Sequence, residues 1–468
     1  MVLMIMAVVM VLPIIFQPAR GENDDHKPNR TWAITQIGAR AESIDRTRDG
    51  GYVAAGVGFG GWAVKTNAEG EPEWDNYYTV QGYTFAGFSN VRQTSDGGYI
   101  LAGGGVSFHL STGTDSLLIK LDQRGNVEWS KAYGGPKDDY FTMAEQTADG
   151  GYVAVGNNEM IGPHISNGWV VKVGPTGNIV WEDTFPGDDV NSLALTNDGG
   201  FVGSGAVGLS DNNPGVWLFK LDSTGNLVWQ TVFDVADQKY PALILRTSSQ
   251  QTIDGGYVLA AEVVNRTSRP WFSRALIMRL DTRGSVLWQK LYGDGTDQFT
   301  SPNSIVETSN GEVVVSGRST GPFLMVLGAI GNLRWQKIYG GTNDFFLEAH
   351  PTRDQGFAVV GDLSSTGAWI VKTDSKGRIE DCPIGVFSSS TLADVFINVT
   401  NATTTIIHTG ANVTETVVAV AKLSSPVQTI CPTLNGLIED NHHRPPSISR
   451  FQRGGDDELL PHEYAFQT

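Results

Sequence analysis

Thr196-Asn-Asp198-Gly-Gly-Phe201 and, sixteen residues on, Trp217-Leu-Phe-Lys220-Leu-Asp222-Ser-Thr-Gly225-Asn-Leu-Val-Trp229 decide the fold, because the chain repeats this pair of phrases seven times. The first phrase is Thr-x-Asp/Asn-Gly-Gly-aromatic, degenerate in the sixth copy (Thr308-Ser-Asn310-Gly-Glu) and with Gln355 for the first Gly in the seventh. Its acid or amide stands at Asp49, Asp96, Asp149, Asp198, Asp254, Asn310 and Asp354, at intervals of 47, 53, 49, 56, 56 and 44 residues. Asp-Gly and Asn-Gly suit the positive φ of a type I′ hairpin turn. The Thr two places earlier can bond the turn backbone through its hydroxyl. An alternating apolar strand follows, as in Tyr152-Val-Ala-Val-Gly156.

The second phrase has fixed spacing: an apolar residue, a base three places on, a glycine after five more and a Trp after four. Lys65, Gly70 and Trp74 keep it, as do Lys120, Gly125 and Trp129, and Lys172, Gly177 and Trp181. Arg279, Gly284 and Trp288 fit with Arg as the base; Val326, Gly331 and Trp335 have none. Lys372 and Gly377 lead to Asp381 where the Trp is due. This is a second hairpin with Gly in its turn. Each repeat therefore reads as four strands: A before the Thr, B after the Asp-Gly turn, C with the base and D with the Trp. Four-stranded units repeated radially make a β-propeller, and a period near fifty fits such repeats. The expected fold is all-β, a seven-bladed propeller over 30–381. Trp32 lies 17 residues before Asp49, as Trp181 does before Asp198, so the N-terminal strand is expected to complete the last blade. That removes the open edge.

Composition agrees. Gly supplies 56 of 468 residues, aromatics 10% and charged residues only 18%, a profile of short strands and tight turns rather than disorder. The net charge of −17 argues against nucleic acid and anionic membrane surfaces, which need a basic footprint. Val2 to Phe16 is an apolar run too short for a membrane span and followed by Ala19-Arg-Gly21, so 1–21 is expected to be a signal peptide. An uncleaved anchor is the alternative; with cleavage, no stable membrane insertion and a secreted or cell-surface location are expected. Cys382 and Cys431 are then expected to form a disulfide. The sequons at Asn29, Asn265, Asn398, Asn401 and Asn412 are candidate glycosylation sites. Residues 382–432 read as a Thr/Val-rich β extension bracketed by the two cysteines, and 433–468 as a disordered tail.

These phrases resemble the secreted prokaryotic propeller-repeat proteins with a DGGY and W-x-x-K-x-D-x-x-G-x-x-x-W unit. Lys220 to Trp229 is also similar to the tryptophan-docking unit of quinoprotein-like propellers, which implies that the Trp wedges between adjacent blades. The resemblance spans about Trp32 to Pro383 and implies fold rather than activity, since propellers host many functions.

Eleven of the twelve tryptophans fall on the repeat, seven on strand D and four opening strand C, and are expected to be structural. The strand-C Lys is expected to lay its stem on apolar surface and pair its head with an acid. Asp139, Asp189, Asp297 and Asp344 lie in the D-to-A connections, around one mouth of the channel. Together they could hold Ca²⁺, although Gly and Asp are also ordinary turn residues. No other cofactor is expected. The B-to-C loops open on the same mouth and break the repeat. They carry His109, His164, Asp211, Trp271, Phe272, Arg274, Arg318 and Asp362, the candidate binding residues. Trp271 alone among the tryptophans escapes the repeat. The G-x-S-x-G, P-loop and H-E-x-x-H motifs are absent. The reading favoured is a monomeric, non-catalytic scaffold binding a surface glycan or protein. A polysaccharide hydrolase or lyase, a quinoprotein-like oxidoreductase, and a structural envelope or adhesion component are the alternatives.

Overall fold

The computed structural model describes residues 31–36, 38–107, 113–160, 167–186, 189–234, 242–265, 272–293, 300–364 and 367–379. Beyond them it describes 385–387, 391–394, 398–400, 412–416, 418–422 and 428–431. After β1 (Trp32–Gln36), blade 1 holds β2 (Arg40–Arg46), β3 (Tyr52–Val57), β4 (Gly61–Thr66) and β5 (Pro72–Val80). Blade 2 holds β6 (Tyr83–Gln93), β7 (Tyr99–Ser107), β8 (Thr114–Leu121) and β9 (Val127–Gly134). Blade 3 is β10 (Asp138–Gln146), β11 (Tyr152–Met160), β12 (Asn167–Val173) and β13 (Ile179–Pro186). Blade 4 is β14 (Asp189–Leu195), β15 (Phe201–Val207), β16 (Gly215–Leu221) and β17 (Leu227–Asp234). In blade 5 come β18 (Ala242–Gln251), β19 (Tyr257–Asn265), β20 (Phe272–Leu280) and β21 (Val286–Gly293). Blade 6 follows with β22 (Ser301–Glu307), β23 (Val313–Arg318), β24 (Pro322–Leu327) and β25 (Leu333–Tyr339). Blade 7 has β26 (Phe345–Pro351), β27 (Phe357–Leu363) and β28 (Gly367–Thr373), and takes β1 as its fourth strand, Trp32 opposite Lys372. The protein is a seven-bladed β-propeller closed by its N-terminal strand.

The A–B turn differs from the type I′ expectation. Thr47 N donates to Gly51 O (2.9 Å), Gly50 N donates to Thr47 O (3.0 Å), and only Gly50 of the turn is left-handed, at φ 93°. This is a type I turn with a glycine bulge. Asp49 stays right-handed because its Oδ1 accepts Gly51 N (3.0 Å) and the Thr47 hydroxyl. In blade 7, Gln355 takes the left-handed place (φ 65°), the one non-glycine residue among the described residues to do so.

The strand-C base is buried under that turn. Lys65 Nζ meets Asp49 (2.9 Å), Glu73 (2.9 Å) and the carbonyl of Thr66 (2.9 Å). Lys120, Lys172, Lys220 and Arg279 reach Asp96, Asp149, Asp198 and Asp254 in the same way. In blade 6 both charges vanish together: Asn310 replaces the acid and Val326 the base. A lone buried charge would be costly, so the pair changes as a unit.

The strand-D Trp of each blade lies over the C–D turn glycine of the next. A Cβ on Gly225 would come within 3.0 Å of Trp181, and one on Gly70 within 2.6 Å of Trp32. The ring then meets edge-on the aromatic that opens strand B: Trp74 on Tyr99 (5.5 Å), Trp129 on Tyr152 (5.8 Å) and Trp32 on Tyr52 (5.6 Å). The fixed spacing of the second phrase follows, since the Trp must reach a neighbour's turn that has no side chain.

The A strands form the inner ring, each blade stitched to the next by a side chain that accepts a backbone N–H. Val91 N donates to Ser43 Oγ (3.1 Å), Ala144 N to Asn90 Oδ1 (3.1 Å) and Ser249 N to Ser192 Oγ (3.1 Å). Ile305 N donates to Ser248 Oγ (3.3 Å), Ala349 N to Ser304 Oγ (3.1 Å) and Ile44 N to Glu348 Oε2 (2.9 Å). In blade 3 the position is Met143, which cannot make the link.

The segment after blade 7 forms a belt. β29 (Gly385–Phe387) adds a fifth strand to blade 6, β30 (Thr391–Asp394) to blade 5 and β31 (Asn398–Thr400) to blade 4. β32 (Asn412–Glu415) follows on blade 2, β33 (Val418–Lys422) on blade 1 and β34 (Gln428–Cys431) on blade 7, against β1. All six pair antiparallel with the outermost strand of their blade. The belt thus runs once around the rim, against the order of the blades, and covers edges that would otherwise offer unpaired backbone groups. Among the described residues, only blade 3 has no fifth strand.

Candidate functional site

The mouth carrying the B-to-C and D-to-A connections is uneven. Every B strand starts at the same place after the A–B turn, an aromatic in six blades and Val313 in blade 6, so extra length projects at the mouth. Strands β7, β11 and β19 run 9 residues, whereas β3 and β23 run 6 and β15 and β27 run 7. Among the described residues, the B strands of blades 2, 3 and 5 therefore reach further into the mouth than the others.

His109, His164, Asp211, Trp271 and Asp297 lie outside the described residues, as do the sequons at Asn29 and Asn401. Phe272 pairs with Asn265 where β19 and β20 of blade 5 meet the mouth, and Arg274 pairs with Val263 beneath it. Asn398 and Asn412 lie in belt strands on blades 4 and 2.

Three candidates gather at the junction of blades 6 and 7. Arg318 ends β23 and donates to Thr342 O (3.2 Å). Asp344 is buried and accepts Gly341 N at Oδ2 (2.6 Å), and Ser364 N and Oγ at Oδ1 (2.9 Å each). Asp362 is raised from its ordinary value by burial, with Arg40 opposing the shift and Glu42 and Asp344 adding to it. Asp139, at the start of β10, accepts at Oδ2 the N–H of Gly135 in blade 2's exit turn (2.7 Å). Asp139 and Asp344 thus hold turn backbone. Asp189 pairs with Ala206 at the start of β14. Among the described residues no cluster of three or more His, Cys, Asp or Glu side chains could hold a metal ion.

Sequence reasoning missed a charged cluster at the other end of the inner ring. Four places before each turn acid, strand A carries Asp45, Arg92, Glu145, Ala194, Gln250, Val306 and His350. The charged members come from adjacent blades 7, 1, 2 and 3. Arg92 Nη2 meets Glu348 Oε1 at 2.6 Å, and its Nε lies 3.5 Å from Glu145. Glu348 also takes the Ser43 hydroxyl (2.6 Å) and faces His350 Nε2 (3.0 Å). Although burial opposes ionisation, Arg92 and His350 hold Glu348 far below the usual carboxyl range. Burial instead pushes Glu145 upward, with Arg92 opposing the shift and Asp45 adding to it. The arrangement ties four blades with charge-assisted bonds. Blades 4 to 6 contribute only neutral side chains at the same level, so the ring is electrically lopsided.

No protein-family model matches the chain. No curated protein matches it either. Among solved structures it is similar to the WD40 β-propeller domain of Doa1, at 10% identity and a TM-score of 0.47 over 73% of this chain and 95% of that one. The Dos1 propeller gives 15% and 0.45, covering 77% and 86%. A protein of unknown function from Bacteroides caccae gives 14% and 0.38, covering 58% and 90%. Among the described residues no helix is long and apolar enough to cross a membrane.

Proposed function

We propose that the protein is an exported, cell-surface or extracellular scaffold that binds a surface glycan, without catalysis, at the mouth where its B-to-C loops gather. The observation that carries this reading is the uneven mouth: three blades send longer B strands into it on a frame whose other features repeat from blade to blade. Variable segments on a rigid frame are where recognition concentrates. The B-to-C stretch of blade 5 carries Trp271, Phe272 and Arg274, and an aromatic with a neighbouring Arg is the composition of a recognition hot spot. Sugar rings stack on such aromatic faces. Blade 6, next to it, contributes Arg318 at the same mouth.

The test pairs melting with retention on immobilised surface polysaccharides for Trp271→Ala and Arg274→Ala. Unchanged melting with at least tenfold weaker retention is expected. Retention equal to the parent's overturns the reading. Release of shorter sugars by the parent protein would instead establish a hydrolase or lyase, and capture of a protein ligand alone would establish a protein-binding scaffold.

A further inference from the structure

We propose that the central channel seats an acidic sugar residue, with Arg246 on its carboxylate and a collar of polar side chains from strand-A bulges on its hydroxyls. The inference rests on the glycan-binding reading and names the class of sugar and the place it occupies.

Strand A is the innermost strand of its blade, and in six blades it bulges at one fixed place. Its pairing with strand B skips one residue seven places before the turn acid or amide: Glu42, Ser89, Thr142, Asn191, Asn303 or Leu347. A bulge leaves the extra residue unpaired and re-aims its side chain. The residues flanking it, such as Phe88 and Asn90 or Val190 and Ser192, are buried between blades. Ser89 between them is exposed, and Thr142, Asn191 and Asn303 are half-buried. The bulged residues thus form a collar around the channel. Strand B carries the cause. Seven places after the turn acid or amide these blades have glycine, where a Cβ would come within 1.7–2.1 Å of a strand-A carbonyl, as at Gly56, Gly205 and Gly361.

Blade 5 is the exception. Ala261 fills the glycine place, and the bulge moves one step towards the mouth, between Ile244 and Thr247. This brings the exposed Arg246 to the collar. Its Nη1 donates to Asn303 Oδ1 of blade 6 (3.3 Å), and Asn303 Nδ2 donates to Phe346 O of blade 7 (2.6 Å). On the other side the Thr247 hydroxyl donates to Asn191 Oδ1 of blade 4 (3.4 Å). Burial raises the Tyr140 phenol of blade 3, Asn157 and Asp189 act on it next, and Arg246 opposes the rise from two blades away. The guanidinium and this ring therefore lie within each other's field.

Among the described residues no carboxylate pairs with Arg246. Its planar fork suits a carboxylate bidentately. The amides of Asn191 and Asn303 and the hydroxyls of Ser89 and Thr142 both donate and accept, as sugar hydroxyls require. Three residues further along strand A, about 10 Å deeper at the rise of a strand, Asp45, Glu145 and Glu348 outnumber Arg92. That excess of carboxylates repels an anion and stops the sugar at the collar.

The test is isothermal titration of the full chain with tetragalacturonate and with its fully methyl-esterified counterpart. The parent should bind the acid at least tenfold more tightly than the ester. Arg246→Gln should melt like the parent, lose at least tenfold for the acid and no longer tell acid from ester. Arg246→Lys, which keeps the charge, should bind the acid more tightly than Arg246→Gln. No binding by the parent, equal binding of acid and ester, Arg246→Gln within twofold of the parent, or the reverse order of the two variants each overturn the proposal. Retention on a neutral polysaccharide that Trp271→Ala loses, with no Arg246-dependent titration, would leave the mouth as the binding surface and remove the acidic-sugar site. Arg246-dependent titration without retention on any surface polysaccharide would keep the channel site and remove the loop reading.

Discussion

Asp75 shows how one side chain can be out of balance in a repeat. It sits 13 residues after Trp62 and accepts its indole N–H, but burial pushes its carboxyl up to about 6. Blade 4 solves the same problem with neutral Gln230. A carboxyl whose folded pKa lies above its unfolded value near 3.9 binds more protons when folded, so its contribution to stability falls as pH rises from about 4 through 6. Asp75→Asn keeps an acceptor for Trp62 and removes that penalty. Its effect should be a gain of about 1 kcal/mol at pH 7.5, discounted for the water this carboxyl still meets. The gain should shrink towards zero at pH 4, read by urea melts at the two pH values. Equal effects at both would count against a charged, penalised Asp75. The partnership of Lys220 with Asp198 could be anticipated from the sequence because acid and base recur together. The choice of turn type could not, because Asp-Gly serves both a type I′ turn and a type I turn with a glycine bulge.

At the level of the hairpin, the Gly of the C–D turn does two jobs. Gly225 has φ 91°, which L side chains avoid, and its missing Cβ leaves room for Trp181 of the preceding blade. Gly225→Ala should therefore cost about 2 kcal/mol, from a left-handed backbone and a displaced ring. Gly199→Ala, at φ 80° with open space about its Cβ, should cost only the backbone part. Denaturant midpoints of the two variants check the difference, and equal losses would refute the packing contribution. The strands and the N-terminal closure were legible because each carries a repeated residue at a fixed step. The belt was not: its short Val- and Thr-rich strands bond through the backbone, and backbone pairing leaves no motif to say which edge a strand will meet.

For the molecule as a whole, the cluster around Arg92 joins residues that sequence keeps far apart. Glu348 stands 256 positions from its guanidinium partner, and only ring closure makes them neighbours. No spacing rule reads such a site, whereas the seven phrases made the ring itself legible. Arg92→Leu leaves Glu145 without its guanidinium partner and Glu348 with only His350 beside it. Removal of one partner of a largely buried ion pair typically costs about 3–5 kcal/mol, and a loss of that size is expected in equilibrium unfolding at pH 7. A loss under 1 kcal/mol would mean that the cluster adds nothing to closure.

Blade 3 combines two exceptions: Met143 interrupts the inner stitching towards blade 4, and β13 has no belt strand among the described residues. Asn157, accepting Val190 N at 3.2 Å, provides a link at that seam. A closed ring under thermal agitation parts where its restraints are fewest. Amide protons along the boundary of blades 3 and 4 should therefore trade with solvent first, and unfolding should spread from that gap in both directions until the two fronts meet on the far side, near blade 7.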